Sequence, residues 1–307
     1  EMSASLVGSE MCIRDSLRTK RNSSPANPLP EAFYNRLVEA FRSYMLVGGM
    51  PEAVAIYTET GSYRYSSDIV NEIIQGYQDD FAKYGAKANP LLLRQTLISV
   101  AHQAGAKFIY SRVEGQYRSA EVKVALEMLK DAGLIIPTYH TDANGVPLGA
   151  EINERVVKYL IHDTGVLLGI LGIDDDIDDS IKEMMVADSI NLVDKGHVAE
   201  MMAGLELIKY SSPQKRHQLY YWQNMNKGTC AEVDYVIARS GSIVPIEVKS
   251  GVKGSMSSMY SLMRNPQKHI EMGIRCSLEN FGTFESPDGK KIDIIPLYAI
   301  SNLFAEK

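Results

Sequence analysis

The chain has 307 residues, 45% of them hydrophobic and 23% charged, with a formal net charge of −6; this is ordinary globular composition, long enough for two domains. No stretch approaches the roughly 20 apolar residues of a membrane span. Cys12, Cys230 and Cys276 fall in no CxxC or Cys/His spacing, which excludes a disulfide framework or a zinc ribbon and points to a reducing cytoplasm. The acidity argues against general coating of nucleic acid, but it is local. Residues 161–194 carry 1 basic and 9 acidic side chains, whereas residues 195–307 carry 14 and 11, so the C-terminal part permits phosphate contact.

Residues 1–30 show no sustained periodicity and end in a Pro- and Asn-rich run, which predicts a loop or disordered tail. Residues 7–16, Val-Gly-Ser-Glu-Met-Cys-Ile-Arg-Asp-Ser, resemble translated library-adaptor sequence, which would leave them without information on fold. Phe33, Leu37, Phe41, Tyr44 and Met45 recur at three and four residues and predict a helix over 31–46. Gly48-Gly49-Met50-Pro51 ends it and starts another, Pro suiting a first helical turn. Ile69, Ile73, Tyr77 and Phe81 predict a helix over 68–84, followed by helices over 90–104 and 119–132. A strand starting near Gly133, a polar loop over 141–147 and a strand near 156–162 complete a helix, turn, helix and wing order. That order suggests a winged helix; its third helix balances Arg118, Lys123 and Lys130 against Glu121, Glu127 and Asp131, so packing competes with DNA docking.

Val166 to Leu171 predicts a short apolar helix. The run from Asp174 to Asp179 lacks the Gly and Glu spacing of a calcium loop and reads as a solvated loop. From Gly196 to Tyr210 a helix is predicted with Val198, Met201, Met202, Leu205 and Ile208 on one side and Glu200, Ala203, Gly204 and Leu207 on the other. Small Ala203 and Gly204 would allow close approach, leaving Glu200 a carboxylate on a packed side. Glu206 is a weaker candidate.

The stretch from Thr229 to Gly251 carries the chemistry. Residues 231–238 and 243–248 are rich in β-branched and aromatic side chains, and Ser-Gly separates them, so they predict a β-hairpin. With Ser240-Gly241 as a two-residue loop, Arg239 faces Ser242, and the same register sets Asp234 opposite Glu247. Two like charges so placed are destabilising unless a cation lies between them; a hard divalent ion such as Mg²⁺, or Mn²⁺, would supply it. Lys249, two residues beyond Glu247, shares its face, while Ile246 and Val248 turn to a core. By spacing alone the same residues also describe a solvated cross-strand charge cluster.

Asp234, twelve intervening residues and then Glu247-Val248-Lys249, preceded by Leu219-Tyr-Tyr-Trp222 and Ala-Glu-Val-Asp234, resemble the PD-(D/E)XK nuclease signature. The extended string is similar to the C-terminal nuclease-like domain of unknown function that follows an AAA-type ATPase module in bacterial and archaeal ATP-binding proteins. Tyr44 to Val54, Asp163-Thr-Gly165, 273–282 and 291–300 extend the likeness over residues 31–307. The resemblance implies an α/β (α+β) fold: a tail over 1–30, a remnant of ATPase lid helices over 31–65, a winged-helix module over 66–160, and a mixed nuclease-like sheet flanked by helices over 161–307. It implies catalytic roles for Glu200, Asp234, Glu247 and Lys249, with Mg²⁺ on Asp234, Glu247 and the Val248 carbonyl, and DNA as partner. No GxxxxGK[ST] occurs, so no ATP site is expected here, and the ATPase module is expected to be missing by N-terminal truncation. Two functions follow: a metal-dependent DNA nuclease, or a non-catalytic DNA- or protein-binding module coupled to that ATPase.

Overall fold

The computed structural model describes residues 15–83, 89–172, 195–210, 218–224, 231–251 and 254–304. Residues 15–22 (α1) are helical. The next helices are Glu31–Val47 (α2), Pro51–Thr60 (α3), Tyr63–Lys83 (α4), Pro90–His102 (α5) and Ser119–Asp131 (α6). Strands Ile135–Thr141 (β1) and Ile152–Ile161 (β2), helix Thr164–Ile170 (α7) and helix Lys195–Lys209 (α8) follow. Strands Leu219–Gln223 (β3), Glu232–Val233 (β4), Tyr235–Arg239 (β5) and Ser242–Val248 (β6) lead to helix Ser257–Arg264 (α9). Strands Met272–Ser277 (β7), Gly282–Glu285 (β8) and Lys291–Pro296 (β9) end the sheet. The fold is α+β, as the sequence predicts. The acidic run at 174–179 and residues 7–14 lie outside the described residues.

Side-chain caps fix the starts of α5 and α6. The Asn89 side chain accepts the Leu91 N–H at 3.0 Å where α5 starts, and Glu121 reaches back to the Arg118 N–H at 2.8 Å where α6 starts. Helix α4 begins five residues before the predicted start because Tyr63 and Ser66 are buried and extend the apolar stripe backwards. That stripe centres on Val70 and Ile74, one residue round from Ile69 and Ile73. Leu297–Leu303 is a 3₁₀ turn rather than the end of a strand; its short, mostly apolar run fits either element, and periodicity cannot decide between them.

Residues 15–30 correct the expectation of a disordered tail. Lys20 Nζ donates to the Tyr298 carbonyl and to Ser301 Oγ, both at 3.2 Å. Asn302 donates to the carbonyls of Lys20 and Ser23, and Asn280 brackets Leu29 through both its N–H and its carbonyl. Leu29 itself is buried in the main core. Backbone groups in a polar segment still need partners, and the C-terminal turn supplies them.

Two motifs distant in sequence lock together. Asp163 accepts the Val166 N–H at 3.1 Å, capping α7, and the Gly49 N–H at 2.6 Å. Gly48 ends α2 with φ +78°, and a Cβ there would lie 2.3 Å from Asp163 Oδ1. A Cβ on Gly165 would meet the Val47 carbonyl at 2.5 Å.

Helices α4, α5 and α6 precede the antiparallel pair β1–β2, the order predicted for a winged helix. The outer edge of β1 is not open, however: it pairs in parallel with β3, Thr138 opposite Leu219 and His140 opposite Tyr221. One sheet therefore runs β2-β1-β3-β4 and a second β5-β6-β7-β9-β8. The same stretch of chain forms the last strand of one and the first of the other, and Asp234 is the residue between them. Helix α8 is buried along nearly its whole length, with Val198, Met201, Met202, Ala203, Leu205 and Leu207 in the main core. The close approach at Gly204 is to the side chains of Leu160 and Tyr235 rather than to backbone.

Candidate functional site

The hairpin register is the predicted one. Arg239 pairs with Ser242 and Tyr235 with Ile246, so Asp234 lies at the next rung, opposite Glu247. Ser240 and Gly241 both take positive φ, 51° and 79°, as the two central residues of a type I′ turn require. Ile246 and Val248 are buried in the main core, and Lys249 returns to Glu247, its Nζ 2.6 Å from Oε1.

Backbone geometry then orders the acids. The Lys249 N–H donates to the Cys276 carbonyl on β7 at 2.8 Å, so Val248 turns its own N–H and C=O the other way, toward the β4–β5 segment. There its N–H meets Asp234 Oδ2 at 2.7 Å. Asp234 thus takes the place of a backbone acceptor where the strand breaks, and the Val248 carbonyl faces the same side. Glu247 is only 5% exposed, and its Oε2 is buried with no partner. A buried carboxylate oxygen without a donor is costly.

The structure adds two residues, Lys158 and Glu232. Lys158, on β2 and 1% exposed, places its ammonium 2.9 Å from Glu200 Oε1 and in contact with Glu232 Oε1. The same ammonium lies 4.9 Å from the Tyr221 ring centroid. Glu200 is further fixed through its backbone, whose carbonyl accepts the Tyr235 hydroxyl at 2.8 Å. Lys158 had a sequence signal: a lone lysine in Val-Val-Lys-Tyr-Leu-Ile is rarely buried unless paired. Glu206 belongs elsewhere; it pairs with Lys209, which also donates to the Tyr44 hydroxyl.

The electrostatics follow from four carboxylates facing two ammonium groups. Burial raises the Glu247 carboxyl to about 7, helped by the charge of Asp234 and opposed by the Lys249 hydrogen bond. Burial likewise raises Glu200 to about 8; Lys158 opposes this, and Asp234 and Glu232 reinforce it. Asp234 is raised as well, first by burial, with Lys158, the Val248 N–H and Lys249 pulling it down. For Lys158, burial disfavours the charge, but Glu200 and Glu232 outweigh it and hold the ammonium above the usual lysine range. Asp234 and Glu232 thus both act across the two pairs. Three acids raised together mark a cluster short of positive charge.

Among the described residues no group of three or more His, Cys, Asp or Glu side chains is arranged to hold a metal ion. The donors that fit one are Asp234, Glu247 through its unpartnered oxygen, and the Val248 carbonyl. Two carboxylates suffice for Mg²⁺, which keeps several of its waters.

Fold and site together define an α+β chain whose C-terminal sheet carries a buried acid and lysine cluster. Two family models match it: a domain of unknown function (DUF8612) over residues 38–177 and a domain of unknown function (DUF4143) over residues 195–300. The second is commonly a C-terminal part of AAA-type ATPase proteins. No curated protein and no solved structure matches the chain. Lys158 falls in the first matched region, and Glu200, Glu232, Asp234, Glu247 and Lys249 fall in the second. No helix among the described residues is long and apolar enough to cross a membrane.

Proposed function

We propose that the C-terminal domain is a metal-dependent phosphodiesterase acting on DNA, with Asp234, Glu247 and the Val248 carbonyl holding one Mg²⁺ and Lys249 beside them. The observation that carries this reading is the buried, unpartnered Oε2 of Glu247, set one rung across from Asp234. When bound, the divalent ion offsets phosphate charge and lowers the pKa of water. Glu247 has its other oxygen on Lys249, which fixes the lysine without burying it: the Lys249 side chain is 21% exposed. Its ammonium is therefore placed to hold a water against an incoming phosphate. Asp234, tied to the Val248 N–H, keeps the two strands in the register on which this depends. The match to a domain commonly joined to AAA-type ATPases supports action alongside such a module.

The test is cleavage of duplex, nicked and single-stranded DNA with Mg²⁺ or Mn²⁺. Lys249→Ala is expected to lose about 10²–10⁴-fold in rate, the usual worth of a positioned proton-transfer group, and Glu247→Ala to abolish metal-dependent cleavage. Cleavage unchanged in both variants sinks the reading. The second reading, a non-catalytic binding module, is favoured by one observation: Glu200 is already engaged by Lys158. Metal binding without cleavage of any of the three substrates would decide for it.

A further inference from the structure

We infer that Lys158 is a fixed internal counter-ion that limits the site to a single divalent cation. The inference rests on the metal-site reading above and concerns its stoichiometry. Lys158, Glu200 and Glu232 come from three separate elements, β2, α8 and β4, yet converge on one ammonium. That ammonium is 1% exposed and is flanked by the Tyr221 ring, so it is not displaced by solvent or by a ligand. Two carboxylates meeting at one point, Glu200 and Glu232, are what a second divalent ion that keeps several of its waters would need. The lysine holds that place permanently.

The remaining acid follows a different rule. Glu247 shares one oxygen with Lys249 and leaves the other buried and unpartnered, and Asp234 is tied to the neighbouring Val248 N–H. A mobile cation therefore has one seat, between Asp234 and Glu247. Lys158 acts through Glu200 and Glu232 and is a positioning residue, not a catalytic one.

Manganese binding to the full chain, counted by electron paramagnetic resonance of unbound Mn²⁺ and by calorimetry, tests this without an activity readout. The native chain is expected to bind one Mn²⁺, Glu200→Gln and Glu232→Gln still one, and Asp234→Asn or Glu247→Gln none. Lys158→Met, which releases Glu200 and Glu232, is expected to bind two, and Lys158→Arg one. Two ions on the native chain, or one ion on a folded Lys158→Met chain, overturn the inference and leave the metal site standing. No ion on the native chain overturns the metal site and the inference with it. If Lys158→Met does not fold, the Glu200→Gln and Glu232→Gln variants decide: loss of the single ion in either makes that acid a ligand and overturns the inference.

Discussion

At the scale of single residues, the acids make folding itself depend on pH. Glu200 and Glu247 sit at about 8 and about 7 in the folded chain, from an ordinary 4.5. The folded state therefore binds protons that the unfolded chain has released, and stability falls as pH rises across that window. Melting temperature is expected to drop from about pH 4.5, where the unfolded carboxyls release their protons, to about pH 8, above which the folded-state carboxyls have released theirs as well. Glu200→Gln and Glu247→Gln should each flatten the profile, as should millimolar Mg²⁺ acting through Glu247. A native profile as flat as the variants' would show that neither acid titrates late. The strand arithmetic made Asp234, Glu247 and Lys249 legible because their relation is local: a two-residue turn and a period of two fix it. Lys158 was not legible as a partner, because it meets Glu200 across 42 residues and no periodic rule spans that distance.

At the scale of elements, the helix ends and the hairpin turn were legible through Gly, Pro and Asn, whereas helix starts and strand ends moved where burial outweighed local signals. The Gly48 junction shows what a motif hides until the fold is seen. Its φ of +78° and ψ of −167° lie in a region that is essentially glycine's alone, and its Cα faces the Asp163 carboxylate. Gly48→Ala is expected to destabilise by about 3 kcal/mol, combining backbone strain with the displaced Asp163 cap. Gly61 ends α3 at φ 69°, and a methyl group added there would meet nothing within 4 Å, so Gly61→Ala should lose only about 1 kcal/mol. Urea unfolding of the two variants measures the difference. Equal losses would mean that Asp163 does not tie α2 to α7.

At the scale of the whole molecule, the two matched regions meet inside a shared structure. The β1 strand continues the sheet of the C-terminal region through β3, and β2 delivers the ammonium that neutralises two of its four clustered acids. A piece beginning at residue 195 would expose the edge of β3 and leave Glu200, Glu232, Asp234 and Glu247 facing Lys249 alone. Breaking a buried ion pair by removing one partner costs about 3–5 kcal/mol, and an open strand edge invites pairing with other chains. The piece 195–307 is therefore expected to aggregate or to lack a cooperative thermal transition, and co-expression with residues 15–194 to restore one, as read by calorimetry and size-exclusion chromatography. A monomeric, cooperatively melting 195–307 would show that the sheet contact is incidental. It would also free the site from Lys158, so the same preparation would report its manganese stoichiometry without the internal cation.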